Sequence, residues 1–230
     1  MVSSTPMIAA IFDIEGTLYT NPMGRGFMAY AASHGRSLRS NAYFGSLLPL
    51  FCLSKLGIVS RESLNTTAIA RMAWLIQGYD RREADAAFAW VAEQFILPSG
   101  RKSVLERWEH HRRAGHLLLI ASGGLAPCVR RIGAALQAAG TAGTEIEMQD
   151  GRCTAQTGSP VVIGREKAVR TLRLVEQLGA DVDWPASYAY ADSFHDLAFL
   201  ELAGRPTAVH PDKKLRRIAA ERGWPVLEEG

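Results

Sequence analysis

The chain contains 230 residues, of which 47% are apolar and 21% are charged. These proportions are typical of a globular protein. Twenty-one Gly and ten Pro residues are too few for a fibrous or low-complexity chain. Twenty-six Lys and Arg residues against 23 Asp and Glu residues leave a net charge of +3, which is too small to indicate nucleic-acid binding by itself.

The first predicted element is a strand at residues 7–12, MIAAIF. A short, nearly continuous apolar run is typical of a strand that is buried on both faces of a parallel sheet. From residue 18 to residue 97 apolar residues recur at helical spacing, with breaks near Gly57, at 78–80 and at Pro98. This segment is therefore predicted to form about four or five helices.

One part of the helical segment, residues 42–59, is almost continuously apolar. It is close to the roughly 20 residues that a membrane span needs, but it contains Pro49, Lys55 and two glycines. The interpretation that we favour is a buried pair of helices. Contact with a membrane is the alternative.

The remaining sequence predicts strands and helices that alternate along the chain. The predicted strands are 116–121, 188–191 and 207–209, a hairpin at 145–157 turns at Asp150 and Gly151, and the predicted helices are 102–114, 126–139, 165–178, 194–203 and 213–221. Such alternation indicates a parallel sheet with right-handed crossovers. We predict an α/β fold with a Rossmann-like parallel sheet, in which residues 1–17 and 98–230 form a discontinuous core domain and residues 18–97 form an inserted, all-helical cap domain.

Cysteine usage and the first residues bear on location. Cys52, Cys128 and Cys153 are far apart and form no CxxC pair, which is typical of a reducing compartment and does not suggest structural zinc. The first residues, MVSSTP, have no basic segment before an apolar core, so no signal peptide is predicted. A cytoplasmic location is expected.

Three of the predicted strands end in short polar turns, which begin at Asp13, Ser122 and Asp192. Because ligands of open parallel sheets bind beyond the carboxyl ends of the strands, we expect these turns to meet in one crevice. Gly123 would let the backbone approach an anion closely, and the ammonium group of Lys167 can supply a positive charge. Carboxylates, Mg²⁺, a lysine and backbone donors together make a phosphoryl-transfer site.

Four motifs occur in the order and spacing of a known family. They are FDIEGTLY at 12–19, IASGG at 120–124, GREKAVRTL at 164–172 and ADSFHDLAFLE at 191–201. On these motifs the chain resembles the haloacid dehalogenase (HAD) superfamily of phosphohydrolases, in its phosphoserine-phosphatase-like branch, subfamily IB, which has a helical cap after the first motif. The resemblance implies a Mg²⁺-dependent phosphatase that hydrolyses a small phosphate monoester.

The resemblance also implies which residues react and which bind metal. Asp13 is expected to be the nucleophile that attacks phosphorus and becomes an aspartyl-phosphate. The carboxylates of Asp13 and Asp192 and the backbone carbonyl of Glu15 are expected to bind Mg²⁺. Asp196 is expected to support this metal site from behind.

The other motif residues are expected to bind the phosphoryl group. The resemblance implies that Ser122 and the backbone N–H of Gly123 contact phosphoryl oxygens. Lys167 is expected to neutralise charge on both the phosphate and Asp13, and Thr17 to order the first turn.

Glu15 departs from the usual pattern, because most phosphatases of the superfamily have Asp there as acid for the leaving group and base for water. Glu has the same chemistry with one more methylene, and DIEGT resembles the first motif of the enolase-phosphatase branch. Two other hypotheses therefore stay open: a phosphotransferase, and a non-catalytic protein that binds a phosphoryl ligand.

The site residues also have plainer structural interpretations. Asp13 and Asp192 could cap the helices that follow their strands. A single helical lysine is usually exposed to solvent, in which case Arg165 or Arg170 would replace Lys167 as the cation. We favour the catalytic interpretation because all four motifs are present.

The predicted partner is a small phosphate ester. Residues 20–27 contain no acid where the phosphoserine-specific enzymes of the branch have a glutamate for the substrate amine, so phosphoserine is unfavourable. The apolar stretch 43–56 would suit a substrate with an apolar portion, and Arg25, Arg36 and Arg39 would suit a second anionic group. Neither nucleic acid nor a stable membrane span is expected, and the chain is predicted to be a monomer or homodimer.

Overall fold

The computed structural model describes residues 6–228, and eight strands occur among them. They are β1 (Ala9–Phe12), β2 (Leu117–Leu125), β3 (Gly140–Thr144), β4 (Ile146–Gln149), β5 (Arg152–Thr157), β6 (Tyr188–Ala191), β7 (Arg205–Val209) and β8 (Val226–Leu227). Six of them form a sheet in the order β3-β2-β1-β6-β7-β8, in which every neighbouring pair is parallel. The other two form the predicted antiparallel hairpin. The predicted α/β fold is confirmed.

The helices lie between these strands. They are α1 (Met23–Ser33), α2 (Ser37–Lys55), α3 (Arg61–Arg71), α4 (Ala73–Ile76), α5 (Arg81–Trp90), α6 (Lys102–Arg113), α7 (Ala126–Ala135), α8 (Arg165–Gln177), α9 (Leu197–Leu200) and α10 (Lys213–Arg222). The first five fall between β1 and β2, in residues 18–97, which we call the helical insert. A π-helical turn at Val91–Ile96 and 3₁₀ turns at Leu97–Ser99 and Phe194–Asp196 complete the described helical structure.

β1 lies in the middle of the sheet, between β2 and β6. All of its residues are fully buried, because helices pack on both faces of the sheet. Phe12 belongs to the apolar core on one face, where its ring stacks on that of Tyr190 with centroids 4.4 Å apart, and Ile11 belongs to the core on the other. Asp13, the next residue, therefore lies at the centre of the carboxyl edge of the sheet.

Several elements differ from the sequence-based prediction. β2 does not stop at Ser122 but continues to Leu125, with a register shift against β3. The prediction omits β3, since its sequence GTAGT contains two glycines and no large apolar residue. It also omits the short β8. α7 ends before residue 139 because the chain turns at Gln137, where φ is 57°. The helix expected at 194–203 is a 3₁₀ turn followed by the short α9.

The interpretation of residues 42–59 as a buried pair of helices is wrong. They form most of the single helix α2 and the turn after it, and Tyr43 is the buried residue of α2. α2 packs on α1, α3 and α4, and this packing leaves Phe44 57% exposed and Phe51 50% exposed. None of the described helices is both long enough and apolar enough to cross a membrane.

Candidate active site

Three aspartates meet at the carboxyl edge of the sheet. Asp13 follows β1, Asp192 follows β6, and Asp196 lies in the 3₁₀ turn after it. A carboxylate oxygen of each lies within 4.8 Å of one from each of the others. Asp13 and Asp196 are each 4% exposed, while Asp192 is partly buried. The structure thus brings together the acids that the sequence singled out, and we call them the acid cluster.

Lys167 supplies positive charge to the acid cluster. It lies in the first turn of α8, and its Nζ atom is 2.8 Å from Oδ1 of Asp13 and 2.7 Å from Oδ1 of Asp196. Its side chain is 4% exposed, so the interpretation of Lys167 as a solvated lysine is wrong. Arg170, one of the alternative cations, instead pairs with Glu166 at 2.7 Å.

The turn after β1 is shaped around Gly16. Its φ of 82° lies in the left-handed region, and a Cβ atom there would be 2.2 Å from Oδ2 of Asp192. Only glycine lets the turn approach Asp192 so closely. The hydroxyl of Thr17, as expected for a residue that orders this turn, donates to Oδ2 of Asp13 at 3.2 Å.

Ser122 and Gly123, which the sequence placed in a turn, lie in the last residues of β2. Ser122 is 1% exposed, and its hydroxyl oxygen accepts a hydrogen bond from the backbone N–H of Gly124 at 3.1 Å. The sequence gives no indication of which residue holds this segment in place. The Thr144 hydroxyl donates a hydrogen bond to the carbonyl of Gly123 at 2.7 Å and accepts one from the N–H of Val162 at 3.1 Å. A threonine that ends a glycine-rich strand carries no sequence signal for this role.

Glu15 reaches toward the helical insert. Its Oε1 atom accepts a hydrogen bond from the backbone N–H of Met23, the first residue of α1, at 3.0 Å. An acid is favourable there because the amino end of a helix carries partial positive charge. The glutamate that departs from the usual motif therefore joins the sheet edge to the insert.

The comparisons with known proteins agree with this geometry. A family model described as haloacid dehalogenase-like hydrolase matches residues 10–201. The chain belongs to this family. The predicted membership of the haloacid dehalogenase superfamily is confirmed, and with it the predicted hydrolase class. Relatives that are named as phosphatases match nearly the whole chain, in agreement with the predicted phosphatase type.

Several relatives of this haloacid dehalogenase-like hydrolase cover nearly all of the chain. An inhibition of morphological differentiation protein of Streptomyces azureus is 28% identical over 98% of the chain and 79% of its own length. A phosphoserine phosphatase of Mycobacterium tuberculosis is 28% identical over 96% of the chain and 70% of its own length.

Solved structures extend the similarity to the fold. A protein from Bordetella pertussis matches with a TM-score of 0.80 and 26% identity, over 97% of this chain and 99% of that one. A substrate-bound phosphoserine phosphatase matches with a TM-score of 0.67 and 15% identity, over 99% of this chain and 95% of that one. The second match shows a shared fold.

Burial dominates the electrostatics of the hydrolase site. It raises the pKa of Asp13 to about 6, although Lys167 acts in the opposite direction. Burial also raises the pKa of Asp192 well above its ordinary value, and the charges of Asp13 and Asp196 add to the effect. Burial disfavours the charge of Lys167, but the two neighbouring carboxylates outweigh it and raise the Lys167 pKa. The acid cluster is therefore short of positive charge.

Glu15 has a similar environment. Burial raises its pKa to about 7, while the hydrogen bond from Met23 works against the increase. A carboxyl group with a pKa near neutrality can both donate and accept a proton at physiological pH. This property is compatible with the acid and base role that the family resemblance implies for Glu15.

The chemistry of the acid cluster fits a divalent cation such as Mg²⁺. Carboxylate oxygens are the ligands that hard cations prefer, and Asp13, Asp192 and Asp196 offer them from two neighbouring turns. A divalent ion would add the positive charge that a single lysine does not supply. The residues present are thus suited to the cofactor expected from the sequence.

A cavity of about 440 Å³ opens in front of the acid cluster. On the sheet side it is lined by the acid cluster together with Glu15, Ser122, Gly123, Lys167 and His195. The helical insert provides the opposite wall, which is largely apolar and contains Met28, Tyr43, Phe44, Leu47, Ile69 and Met72.

Of the three arginines that could bind a second anionic group, Arg25 lines this cavity. Arg36 and Arg39 were also expected to face the substrate, and that expectation is wrong. Arg36 lies over the ring of Tyr79, 4.3 Å from its centroid, and contacts Glu83 at 3.4 Å. Arg39 donates to the backbone carbonyl of Gln77. Both arginines therefore hold the insert together instead of facing a substrate.

Proposed function

We propose that this hydrolase removes phosphate from a small phosphate monoester, with Asp13 as the nucleophile and Mg²⁺ as the cofactor. The observation that carries the proposal is the placement of the Asp13 carboxylate. It is held by Lys167 and Thr17 at the inner end of a cavity, and such fixation directs a nucleophile toward a bound substrate.

In the proposed reaction an oxygen of Asp13 forms a bond to phosphorus while the bond between phosphorus and the ester oxygen breaks. Glu15 donates its proton to the departing oxygen, which leaves as an alcohol. Glu15 then takes a proton from water, and the resulting hydroxide attacks phosphorus, which releases inorganic phosphate and regenerates the Asp13 carboxylate. The Glu15 carboxyl is suited to both steps because its pKa lies near neutrality.

The phosphoryl group would be bound by chain atoms on three sides. The Ser122 hydroxyl and the Gly123 N–H would donate to its oxygens, and the Lys167 ammonium would offset its charge. Mg²⁺ would be held by Asp13, Asp192 and the Glu15 carbonyl, with Asp196 in support. When bound, it would reduce the repulsion between the anionic phosphate and the carboxylates.

The helical insert would act as the cap that selects the substrate. Its wall of the cavity is apolar, and the insert residues that line the cavity include no carboxylate to pair with an amine. Phosphoserine, which the name of the Mycobacterium tuberculosis relative indicates for that protein, is therefore disfavoured here. We propose a phosphate ester with an apolar portion, hydrolysed in the cytoplasm.

The test is phosphate release from a panel of esters by the purified chain. We expect Mg²⁺-dependent turnover, and kcat/KM should rise up to about fourfold for each methylene added to an alkyl phosphate until the cavity is filled. Asp13→Asn should abolish turnover. Asp150→Asn is a matched control, because Asp150 is an exposed acid in the hairpin turn. No turnover of any ester would contradict the proposal.

The same assay separates the two other hypotheses. Phosphate binding without turnover by the wild-type chain would favour a non-catalytic protein. Formation of a new phosphate ester after addition of acceptor alcohols would favour a phosphotransferase, and its absence would favour hydrolysis.

A further inference from the structure

Helix α2 and the turn after it expose several large apolar side chains. Of the twelve large apolar side chains that are exposed among the described residues, six lie in residues 38–58. Phe44, Leu48 and Phe51 are spaced by four and three residues and so share one face of α2, and they are 57%, 47% and 50% exposed. Leu56 and Ile58, in the turn that follows, are 73% and 69% exposed. We call these five residues the apolar stripe.

The segment that carries this stripe is basic. Residues 18–79 contain six Lys and Arg residues and one acid, Glu62, whereas the whole chain has 26 basic and 23 acidic residues. Lys55 lies on the stripe itself, where its Nζ is 5.4 Å from the centroid of the Phe51 ring. Arg61 begins α3 just beyond the stripe and is exposed. The surface thus combines apolar side chains with a basic border.

We propose that the apolar stripe docks the helical insert on an anionic lipid surface. A helix with an apolar face and basic residues beside it lies in the interface of a membrane, with its apolar side chains about 5–10 Å deep and its cations near the lipid phosphates. This arrangement removes the exposed apolar area from water and neutralises Lys55 and Arg61 at the same time. The helix rests on the bilayer and does not cross it.

A second copy of the chain fits this surface less well. In a twofold dimer the same patch faces itself, so Lys55 and Arg61 of one copy would lie near those of the other. Like charges brought together in this way oppose association. An anionic surface provides the complementary charge, and for this reason we assign the stripe to lipid.

The stripe is continuous with the cavity. Phe44 belongs to both, since it lines the cavity and begins the stripe. A chain docked in this way would open its cavity beside the lipid surface. The docking inference does not rest on the proposed phosphatase reaction, and binding can be measured without turnover.

The first experiment is flotation of the full chain with vesicles. We expect binding to phosphatidylcholine vesicles that contain about 30% phosphatidylglycerol, weak binding to pure phosphatidylcholine, and release at about 0.5 M NaCl. The double variant Phe51→Ser with Ile58→Ser should lower the bound fraction at least about tenfold. Leu178→Ser is the matched control, because Leu178 is 43% exposed at the end of α8 and its variant should bind like the wild type.

The second experiment avoids the risk that the double variant misfolds. Cys52 is exposed on α2, whereas Cys128 and Cys153 are buried, so an environment-sensitive fluorophore can be attached to Cys52 alone. The anionic vesicles should shift its emission to the blue, and pure phosphatidylcholine should not. The variant Cys52→Ser should take up no label.

Three results would overturn the proposal. They are no binding of the wild type to the anionic vesicles, binding that the double variant leaves unchanged, and a dimer in solution that the double variant dissociates. The last result would assign the apolar stripe to a second copy of the chain.

Discussion

The Glu15 carboxylate and the Met23 backbone are joined by a hydrogen bond of 3.0 Å, in which the N–H of Met23 donates to Oε1. Met23 begins α1, so the acid of the first motif contacts the first turn of the helical insert. The amino end of the helix favours the charged form of Glu15 while burial favours the neutral form, and burial has the larger effect on the pKa.

Glu15→Gln tests whether this carboxyl transfers protons. Glutamine keeps an oxygen that can accept a hydrogen bond from Met23 but cannot donate or accept the proton of the reaction, so turnover should fall by about 10²–10⁴-fold without a decrease in Tm. Glu15→Asp is one methylene shorter and should lose the hydrogen bond to Met23. Phosphate release measures turnover of the two variants, and thermal unfolding measures their Tm. If Glu15→Gln turned over substrate like the wild type, another group would have to transfer the proton.

Lys167→Met should be costly for both activity and stability. It removes the ammonium that contacts Asp13 and Asp196, so turnover should fall by about 100-fold or more. The metal-free protein should lose about 3 kcal/mol of unfolding free energy, because two buried carboxylates lose their partner.

Arg170→Met is the matched control for Lys167→Met. Arg170 lies one turn further along α8 in a partly exposed pair with Glu166, so the variant should change the unfolding free energy by no more than about 0.5 kcal/mol. Denaturant unfolding compares the two variants. Equal losses would show that the effect comes from α8 and not from the acid cluster.

The contribution of Asp13, Glu15 and Asp192 to the stability of the metal-free protein should decrease as pH rises from about 4 to about 7. Asp13, Glu15 and Asp192 have pKa values that folding raises, so the folded state binds more protons than the unfolded state in this range. The stabilisation from these groups is complete below their unfolded values and is lost as pH passes through 6–7. Added Mg²⁺ should restore stability at pH 8, measured as Tm with and without a chelator.

Asp192→Asn provides the control for this pH effect. It removes one of the three crowded charges, so the metal-free variant at pH 8 should have a Tm about 4 °C higher, equivalent to about 1–2 kcal/mol for a chain of this length. The same variant should respond much less to Mg²⁺. A Tm below that of the metal-free wild type would show that Asp192 stabilises the fold by itself.

Gly16→Ala should damage the site more than the fold. Its Cβ would lie 2.2 Å from Oδ2 of Asp192, so that carboxylate must move, and a displacement of about 1 Å can lower turnover by about 100-fold. Gly35→Ala is the matched control: Gly35 also has a positive φ, 72°, but no atom lies within 4 Å of its Cβ position. Both variants should lose about 1 kcal/mol of stability from backbone strain, and equal turnover would refute a special role for Gly16.

The sequence predicted the sheet and the acid cluster well for a physical reason. Strands that are buried on both faces, such as β1, must be apolar throughout, and Asp13 and Asp192 follow such strands directly. β3 was not predicted, because its sequence, GTAGT, has little apolar character. The packing of β3 depends on its glycines, since a Cβ on Gly143 would lie 2.8 Å from the Cα of Ala126.

The parts of the site that the sequence did not predict depend on tertiary contacts. Thr144 contacts Gly123 from a strand that the apolar pattern does not indicate. Which arginine reaches the cavity is set by how α1 and α2 pack, so Arg25 and Arg39 could not be told apart from the sequence. The exposure of α2 is likewise unexpected, because apolar residues are usually buried.

His111 offers a separate test of pH-dependent stability. It is 2% exposed, and its ring nitrogens lie 2.8 Å from Nδ1 of His116 and 2.8 Å from the hydroxyl of Tyr190. Burial, with the nearby positive charges, lowers its pKa from 6.5 to about 4. The unfolded state therefore binds a proton that the folded state does not, and stability is lost as pH falls from 6.5 to 4.

His111→Gln should remove this dependence. At pH 7 the variant should be less stable than the wild type, because it loses hydrogen bonds to His116 and Tyr190. The difference in unfolding free energy between the wild type and the variant should become about 2 kcal/mol smaller from pH 7 to pH 4.5. At the lower pH only the wild type is destabilised, because its folded state keeps His111 unprotonated. Urea unfolding at a series of pH values measures it, and a constant difference would contradict the lowered pKa.

The chain enters and leaves the helical insert at adjacent points. Tyr19 pairs with Gly100 in an antiparallel bridge, and the N–H of Arg101 donates to the carbonyl of Leu18 at 2.9 Å. Because the two junctions are already bonded to each other, a chimera that carries the corresponding helices of a relative between them should leave the strand order undisturbed. Because the insert is proposed to select the substrate, such a chimera should show the substrate preference of the relative, while the acid cluster and Lys167 stay unchanged.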